Sequence, residues 1–168
     1  RIGYIGTSNT QNELVINQLL NYWLPEILKI DQSIEFYFAG PCCNLNTLKV
    51  SSLDKSKNIS LLGFIDNVQY FYDSIDVLFA PIVIPGGINF KSVEAICSGC
   101  EVLLSELGRE NLPNLDGIYT IKNNSELNRI IKTINLKIKD KSRRHQVSKS
   151  AKEYFSYRNA YKELIINL

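Results

Sequence analysis

The sequence predicts a single Rossmann-like α/β domain: a parallel six-stranded sheet with helices on both faces. Two patterns carry that prediction. Six short segments are mostly apolar on both faces, as strands buried between two helical layers must be. Segments of helical periodicity alternate with them, the pattern of right-handed crossovers between parallel strands. The chain has 168 residues, 45% of them hydrophobic and 21% charged, which suits one domain with its own core. No internal repeat or low-complexity linker divides it. Ligands of such sheets bind outside the carboxyl ends of the strands, near the point where strand order reverses.

The elements follow in order. IGYIG (Ile2 to Gly6) is the first strand, and the cap and turn residues TSNT come next. Leu14, Ile16, Leu19, Leu20, Trp23 and Leu24 recur at helical spacing. Pro25 predicts a kink or a restart there, because it lacks the N–H and crowds the preceding turn. SIEFYFAG (Ser33 to Gly40) is the second strand, and PCCNLNTLKVSS is a loop with a helical turn or two. ISLLGF (Ile59 to Phe64) is the third strand; IDNVQYFYDSI is a short helix with Val68, Phe71 and Tyr72 on one side. DVLFAP (Asp76 to Pro81) is the fourth strand, followed by a helix from about Ile88 to Ser98. EVLLS (Glu101 to Ser105) is the fifth strand, ELGRENLPNLD a long loop, and GIYTI (Gly117 to Ile121) the sixth strand. SELNRIIKTINLKIKD and SRRHQVSKSAKEYFSYRNAYKELIINL close the chain as helices.

Charge and cysteine usage narrow the function classes. A net charge of +2 is too small to argue for nucleic acid. The one basic cluster, Lys139 to Lys152, reads as a solvated helix face, with a membrane-surface or polyanion contact as the lesser reading. No apolar run approaches the roughly 18 residues of a transmembrane helix. The chain opens directly in a strand pattern without a leader, which predicts a domain cut from something longer. Cys97 and Cys100 form a C-x-x-C at the end of a predicted helix, whereas a redox dithiol needs the helix N-terminus to stabilise a thiolate. A zinc site needs further ligands, and His145 is the only histidine. The four cysteines, with the adjacent Cys42 and Cys43, read as buried, reduced thiols. Asn58-Ile59-Ser60 and Asn123-Asn124-Ser125 are glycosylation sequons by spelling only.

The chemically suggestive stretch is PIVIPGGINFKSVEAICSG, Pro81 to Gly99. It follows the fourth strand, so it crosses the carboxyl edge of the sheet before a helix begins. A helix start leaves N–H groups unpaired and carries partial positive charge. Gly86 and Gly87 lack Cβ atoms, so a phosphate can approach their amides closely. Lys91 falls in the first helical turn and adds a full charge, and Glu94 lies one turn deeper on the same face. Phe90, Val93 and Cys97 fit the core from a neighbouring face. A carboxylate there suits the vicinal hydroxyls of a ribose. The plainer reading stands beside this: two glycines that merely turn the chain, and an exposed i,i+3 ion pair worth a few tenths of a kcal/mol.

APIVIPGGINFKSVEAICSGCEVLLS (Ala80 to Ser105) resembles the signature of the GT-B glycosyltransferases, particularly glycosyltransferase family 4. YIGTSNTQNELVINQLL, EFYFAG, ISLLGFIDNVQYFYDSIDVLFAP and YFSYRNAYKELI resemble the neighbouring segments of that family in the same order, so the likeness covers nearly the whole chain. The resemblance implies the C-terminal half of a GT-B fold, residues 1–168 being the nucleotide-sugar-binding domain and the N-terminal acceptor domain lying outside this chain. It implies a retaining transfer of a hexose from a UDP- or GDP-sugar to a glycan or lipid-linked acceptor, without a metal ion or other cofactor. It also implies a cytoplasmic domain, with peripheral contact to the inner face of a membrane left open and no nucleic acid as partner. Carried over by position, Glu94 holds the donor ribose, and Gly86, Gly87, Ile88 and Asn89 form the loop that faces the diphosphate and sugar. Gly6 and Thr7 lie in the loop after the first strand, close to the phosphates. Phe64 and Ile65 border the base. Lys91 and Glu94 are the residues to which the resemblance assigns catalysis.

Some positions depart from the family pattern. Gly86 stands where the first glutamate of the E-x7-E motif belongs, although the variant P-x4-GG-x3-K-x2-EA is matched by Pro81, Gly86, Gly87, Lys91, Glu94 and Ala95. Thr7, Asn12 and Glu13 occupy the region where many members carry an Arg and a Lys, which leaves Lys91, or Arg109 from the next loop, to neutralise the diphosphate. Glu101 replaces a common proline. These departures keep a second class in view, a degenerate domain that only binds partners. A flavodoxin-like or receiver-like signalling domain is the third reading, and it lacks the acidic cluster a receiver needs after the first strand.

Overall fold

Strands β1 (Ile2–Ile5), β2 (Phe36–Ala39), β3 (Ile59–Gly63), β4 (Val77–Ala80), β5 (Glu101–Ser105) and β6 (Ile118–Ile121) form one six-stranded sheet in the order β3-β2-β1-β4-β5-β6. Every pairing is parallel. The computed structural model describes residues 1–45, 57–84, 89–110 and 112–156. The helices are α1 (Thr10–Gln18), α2 (Leu24–Ile30), α3 (Val68–Ser74), α4 (Phe90–Cys97), α5 (Glu106–Arg109), α6 (Asn124–Lys137) and α7 (Arg143–Tyr154). A π-helical turn at Leu19–Trp23 joins α1 to α2, and a 3₁₀ turn at Pro41–Asn44 follows β2. Strand order reverses between β1 and β4, so their carboxyl ends open the crevice expected of this topology.

The strands are apolar because each feeds two cores at a period of two. Ile2, Tyr4, Phe36, Phe38, Val77, Phe79 and Leu103 face α1, α2 and α6, where Ile16, Leu20, Leu24, Ile27 and Ile130 meet them. Ala39, Leu78, Ala80, Val102 and Leu104 face α3, α4 and α7, through Phe71, Tyr72, Ala95, Ile96 and Val147. The edge strand β3 departs from this, with Leu61 and Leu62 exposed.

Pro25 is accommodated by a restart. The buried positions Val15, Leu19, Trp23 and Ile27 recur every four residues, whereas an α-helix has about 3.6 per turn. Such a stripe drifts by about 40° per step. The π-turn, in which the Leu24 N–H reaches the Leu19 carbonyl, takes up that drift. Pro25 then lies in the first turn of α2, where a missing N–H costs least. Leu14, expected on the apolar face, is exposed.

Other expectations need correction. Phe90 is 72% exposed, and Val93 and Cys97 are half-buried; Ser92, Ala95 and Ile96 form the core face of α4. Val68 is exposed beside buried Phe71 and Tyr72. The long loop after β5 begins with α5, capped by Ser105, whose hydroxyl oxygen accepts from the Gly108 N–H. Cys42, Cys43 and Cys100 are buried free thiols, but Cys97 is only half-buried. Burial pushes the Cys100 thiol up to about 12. The sequon asparagines serve the backbone: Asn58 Nδ2 donates to the Gln32 and Ile34 carbonyls, and Asn123 caps α6.

The basic cluster is not simply a solvated face. Arg143 is 8% exposed and forks onto Glu101, 1% exposed, with Nε at 2.5 Å from Oε1 and Nη2 at 3.1 Å from Oε2. It also binds Asp116. Arg144 donates to the Tyr72 and Ile75 carbonyls at the end of α3. Glu101 therefore anchors α7 to the start of β5, which accounts for a carboxylate at a position the resemblance reserves for proline.

Candidate functional site

The carboxyl ends of β1 and β4 place three polar segments around one cleft. After β1, Asn9 caps α1 by accepting from the Asn12 N–H at 2.8 Å. That cap brings the Asn12 side chain back over the strand end, where Nδ2 donates to the Thr7 carbonyl at 2.9 Å and to Thr7 Oγ1 at 3.2 Å. Gly6 is required by this arrangement, because a Cβ there would lie 2.9 Å from Asn12 Cγ. After β4, Ile82 and Val83 line the cleft, and α4 supplies Asn89 and Lys91. Leu107 and Gly108 close it from α5. The cleft measures about 290 Å³, just below the roughly 300–1,000 Å³ typical of small-ligand sites.

Lys91 does not form the exposed ion pair of the plainer reading. Its ammonium reaches across the cleft floor to Tyr4 Oη and Asn12 Oδ1, 3.3 Å from each, and lies 4.4 Å from the Tyr4 ring centroid. Tyr4 in turn donates to Asn12 Oδ1 at 2.6 Å. Burial pushes the Lys91 ammonium down to about 8. The Cys42 thiol is itself pushed far up, by its hydrogen bond with Cys43 and by burial, so near neutrality only Glu94 pulls Lys91 back. Burial also raises the Tyr4 hydroxyl, which stays a donor.

Glu94 turns the other way. Its carboxylate is exposed and accepts from the Tyr72 hydroxyl at 2.8 Å. Burial, and then this bond, keep Tyr72 protonated by raising its pKa. At the start of α4, the Asn89 side chain makes no capping bond, and its buried Nδ2 has no hydrogen-bond partner among the described residues. This leaves an amide donor at the cleft wall with its hydrogen-bonding capacity unused.

Of the sequence-predicted residues, Asn89 and Lys91 line the cleft itself. Gly6 and Thr7 adjoin it through Asn12, and Glu94 stands one turn along α4. Phe64, 75% exposed, and half-buried Ile65 follow β3, two strands from β1. Gly86, Gly87 and Ile88 lie outside the described residues. Arg109 is tied to its own loop, donating to the Leu112 carbonyl and to Asn114. Tyr4, Asn12 and Tyr72 were not among the predicted site residues. A wider groove between α2 and α6, lined by Glu26, Lys29, Arg129 and Lys132, lies away from the crevice between β1 and β4, and its Lys29 and Glu26 already pair.

The family model for glycosyl transferases group 1 matches residues 1–136. The chain belongs to that family. Among curated proteins, none matches the chain. The fold is that of the C-terminal half of the GT-B glycosyltransferases, as several solved structures illustrate. A glycosyltransferase from Rickettsia africae is 14% identical, with a TM-score of 0.67 over 98% of this chain and 46% of its own. HepE from Anabaena, solved with UDP and glucose, is 13% identical, with a TM-score of 0.63 over 99% of this chain and 47% of its own. The catalytic domain of cholesterol-α-glucosyltransferase from Helicobacter pylori is 15% identical, with a TM-score of 0.63 over 91% of this chain and 97% of its own. The glycosyl transferase chain thus spans just under half the length of the Rickettsia and Anabaena proteins.

Proposed function

We propose that residues 1–168 form the donor-binding domain of a retaining glycosyltransferase, which transfers a hexose from a UDP- or GDP-sugar to a glycan or lipid-linked acceptor. The observation that carries this reading is the ammonium of Lys91, set in the cleft between β1 and β4 with no carboxylate at ion-pair distance among the described residues. A half-buried cation without a paired anion is costly; an anionic ligand offsets that cost. Family membership and the UDP bound to HepE support a nucleotide diphosphate as that ligand.

Cleavage between the anomeric carbon and the diphosphate builds negative charge on the leaving group. Lys91 and the amides at the start of α4 stabilise that charge in place, as oriented donors do at oxyanion sites. The free amide of Asn89 serves a sugar hydroxyl or a phosphate oxygen. Glu94, steadied by Tyr72, takes the ribose hydroxyls, and Phe64 and Ile65 border the base. A second domain supplies the acceptor side, so transfer requires the longer chain. Among the described residues no helix is long and apolar enough to cross a membrane, and the enzyme would work in the cytoplasm, with any membrane contact peripheral.

Calorimetric titration with UDP, GDP and ADP tests the reading. One base binds clearly, and Glu94→Ala weakens it. A folded domain that binds none of the three, alone or in the full-length chain, would refute it.

A further inference from the structure

We propose that Tyr4 and Asn12 are positioning residues that hold the Lys91 ammonium over the Tyr4 ring and aim its remaining N–H donors at the diphosphate of the donor. For its ligand this inference rests on the donor-binding reading; for its geometry it does not.

The three side chains form a closed ring of hydrogen bonds. Tyr4 donates to Asn12 Oδ1 at 2.6 Å and accepts from Lys91 at 3.3 Å. Asn12 Oδ1 accepts from both. The orientation of the Asn12 amide is dictated from behind: its Nδ2 is committed to the Thr7 carbonyl and hydroxyl. The opposite orientation would turn an N–H against an ammonium and against a hydroxyl donor. The two neutral acceptors lie side by side and share one side of the Lys91 ammonium, and its remaining N–H donors are left for a ligand. Neutral acceptors suit this task. They fix the position of the cation without cancelling its charge, whereas a carboxylate at position 12 would neutralise it. The face of the Tyr4 ring adds a cation–π contact. Each partner comes from a different segment, β1, α1 and α4, so the ring also locks the first loop to the helix that follows β4.

Tyr4→Phe keeps the ring face and removes the hydroxyl; Asn12→Asp keeps the shape and adds a charge. The titration of the Lys91 ε-methylene, followed by NMR and assigned with Lys91→Arg, reads the effect directly. In the unsubstituted protein the expected midpoint is about 8. Tyr4→Phe moves it down, because the charged form loses an acceptor. Asn12→Asp moves it up by about one unit or more, as a nearby opposite charge does. Should Asn12→Asp fail to fold, Asn12→Ser removes the amide acceptor and moves the midpoint down. In parallel, Tyr4→Phe weakens UDP or GDP binding about tenfold at neutral pH, the usual scale for a bond to a charged group, and its affinity falls away at a lower pH. A Lys91 midpoint unmoved in folded variants overturns the proposal whether or not nucleotide binds. Moved midpoints in a protein that binds no nucleotide support the positioning and overturn the donor reading alone.

Discussion

Lys91 is a charge the fold would be more stable without. Its ammonium pKa is about 8, below the roughly 10.4 of an unfolded lysine. The burial penalty is therefore fully present below about pH 8 and is relieved as pH rises from there toward 10.4. Lys91→Met should raise the melting temperature at pH 7, because Tyr4 and Asn12 still satisfy each other, while nucleotide affinity drops at least tenfold. A substitution that lowers both would contradict this account, and differential scanning fluorimetry with calorimetry separates the cases. Binding has its own signature. The bound diphosphate raises the Lys91 pKa, so near pH 8.5 binding takes up a proton, and affinity falls as pH rises through 8. Titration in buffers of different ionisation enthalpy measures that uptake. Lys91 stood out in the sequence because a glycine pair precedes it after a strand, and the structure places it in the cleft lining; Glu94 stood out on the same ground but lies outside that lining. Tyr4 and Asn12 did not stand out, since Tyr4 looks like any inward strand residue and its contact with Lys91 spans 87 positions. Phe90 misled because an aromatic at helical spacing implies burial, yet it sits 72% exposed at the start of α4, near the cleft.

At the scale of elements, two devices decide stability. The fork of Arg143 on Glu101, both largely shielded from solvent, fastens α7 to β5. Breaking such a pair strands a charge, so Arg143→Ala should cost about 3–5 kcal/mol, read by urea unfolding. The double change Glu101→Met with Arg143→Met should cost far less, and equal losses would mean that the pair acts by packing alone. Sequence reading missed this pair because a basic run looks solvated until its partner, 42 residues away, is brought beneath it. The π-turn before α2 is the second device. Pro25→Ala should change stability by less than about 1 kcal/mol, because the first turn of a helix does not need that N–H. A large loss would mean that the proline itself shapes the turn. In sequence, Leu14 and Ile16 with Leu19, Leu20, Trp23 and Leu24 read as one helical stripe, and the four-residue recurrence of Val15, Leu19, Trp23 and Ile27 was missed. That recurrence emerges from burial, and its mismatch with 3.6 accounts for the π-turn.

For the whole molecule, strand order and alternation account for where a ligand should sit. Six strands feeding two cores leave a single reversal, between β1 and β4, and Lys91, Asn89 and Asn12 converge there. This architecture was readable from the alternation of apolar strands with helices, because most strands are buried on both faces, β3 with its exposed Leu61 and Leu62 being the exception. The cleft's walls were less readable, since Ile82, Val83 and Leu107 come from segments that resemble any strand end or loop. The groove between α2 and α6 is the competing location. The most direct test is a chemical-shift map of the amides on titration with the nucleoside diphosphate that binds best. The account predicts that the largest shifts fall on Gly6, Thr7, Asn12, Asn89 and Lys91. Shifts centred instead on Lys29, Arg129 and Lys132, with the cleft unperturbed, would contradict it.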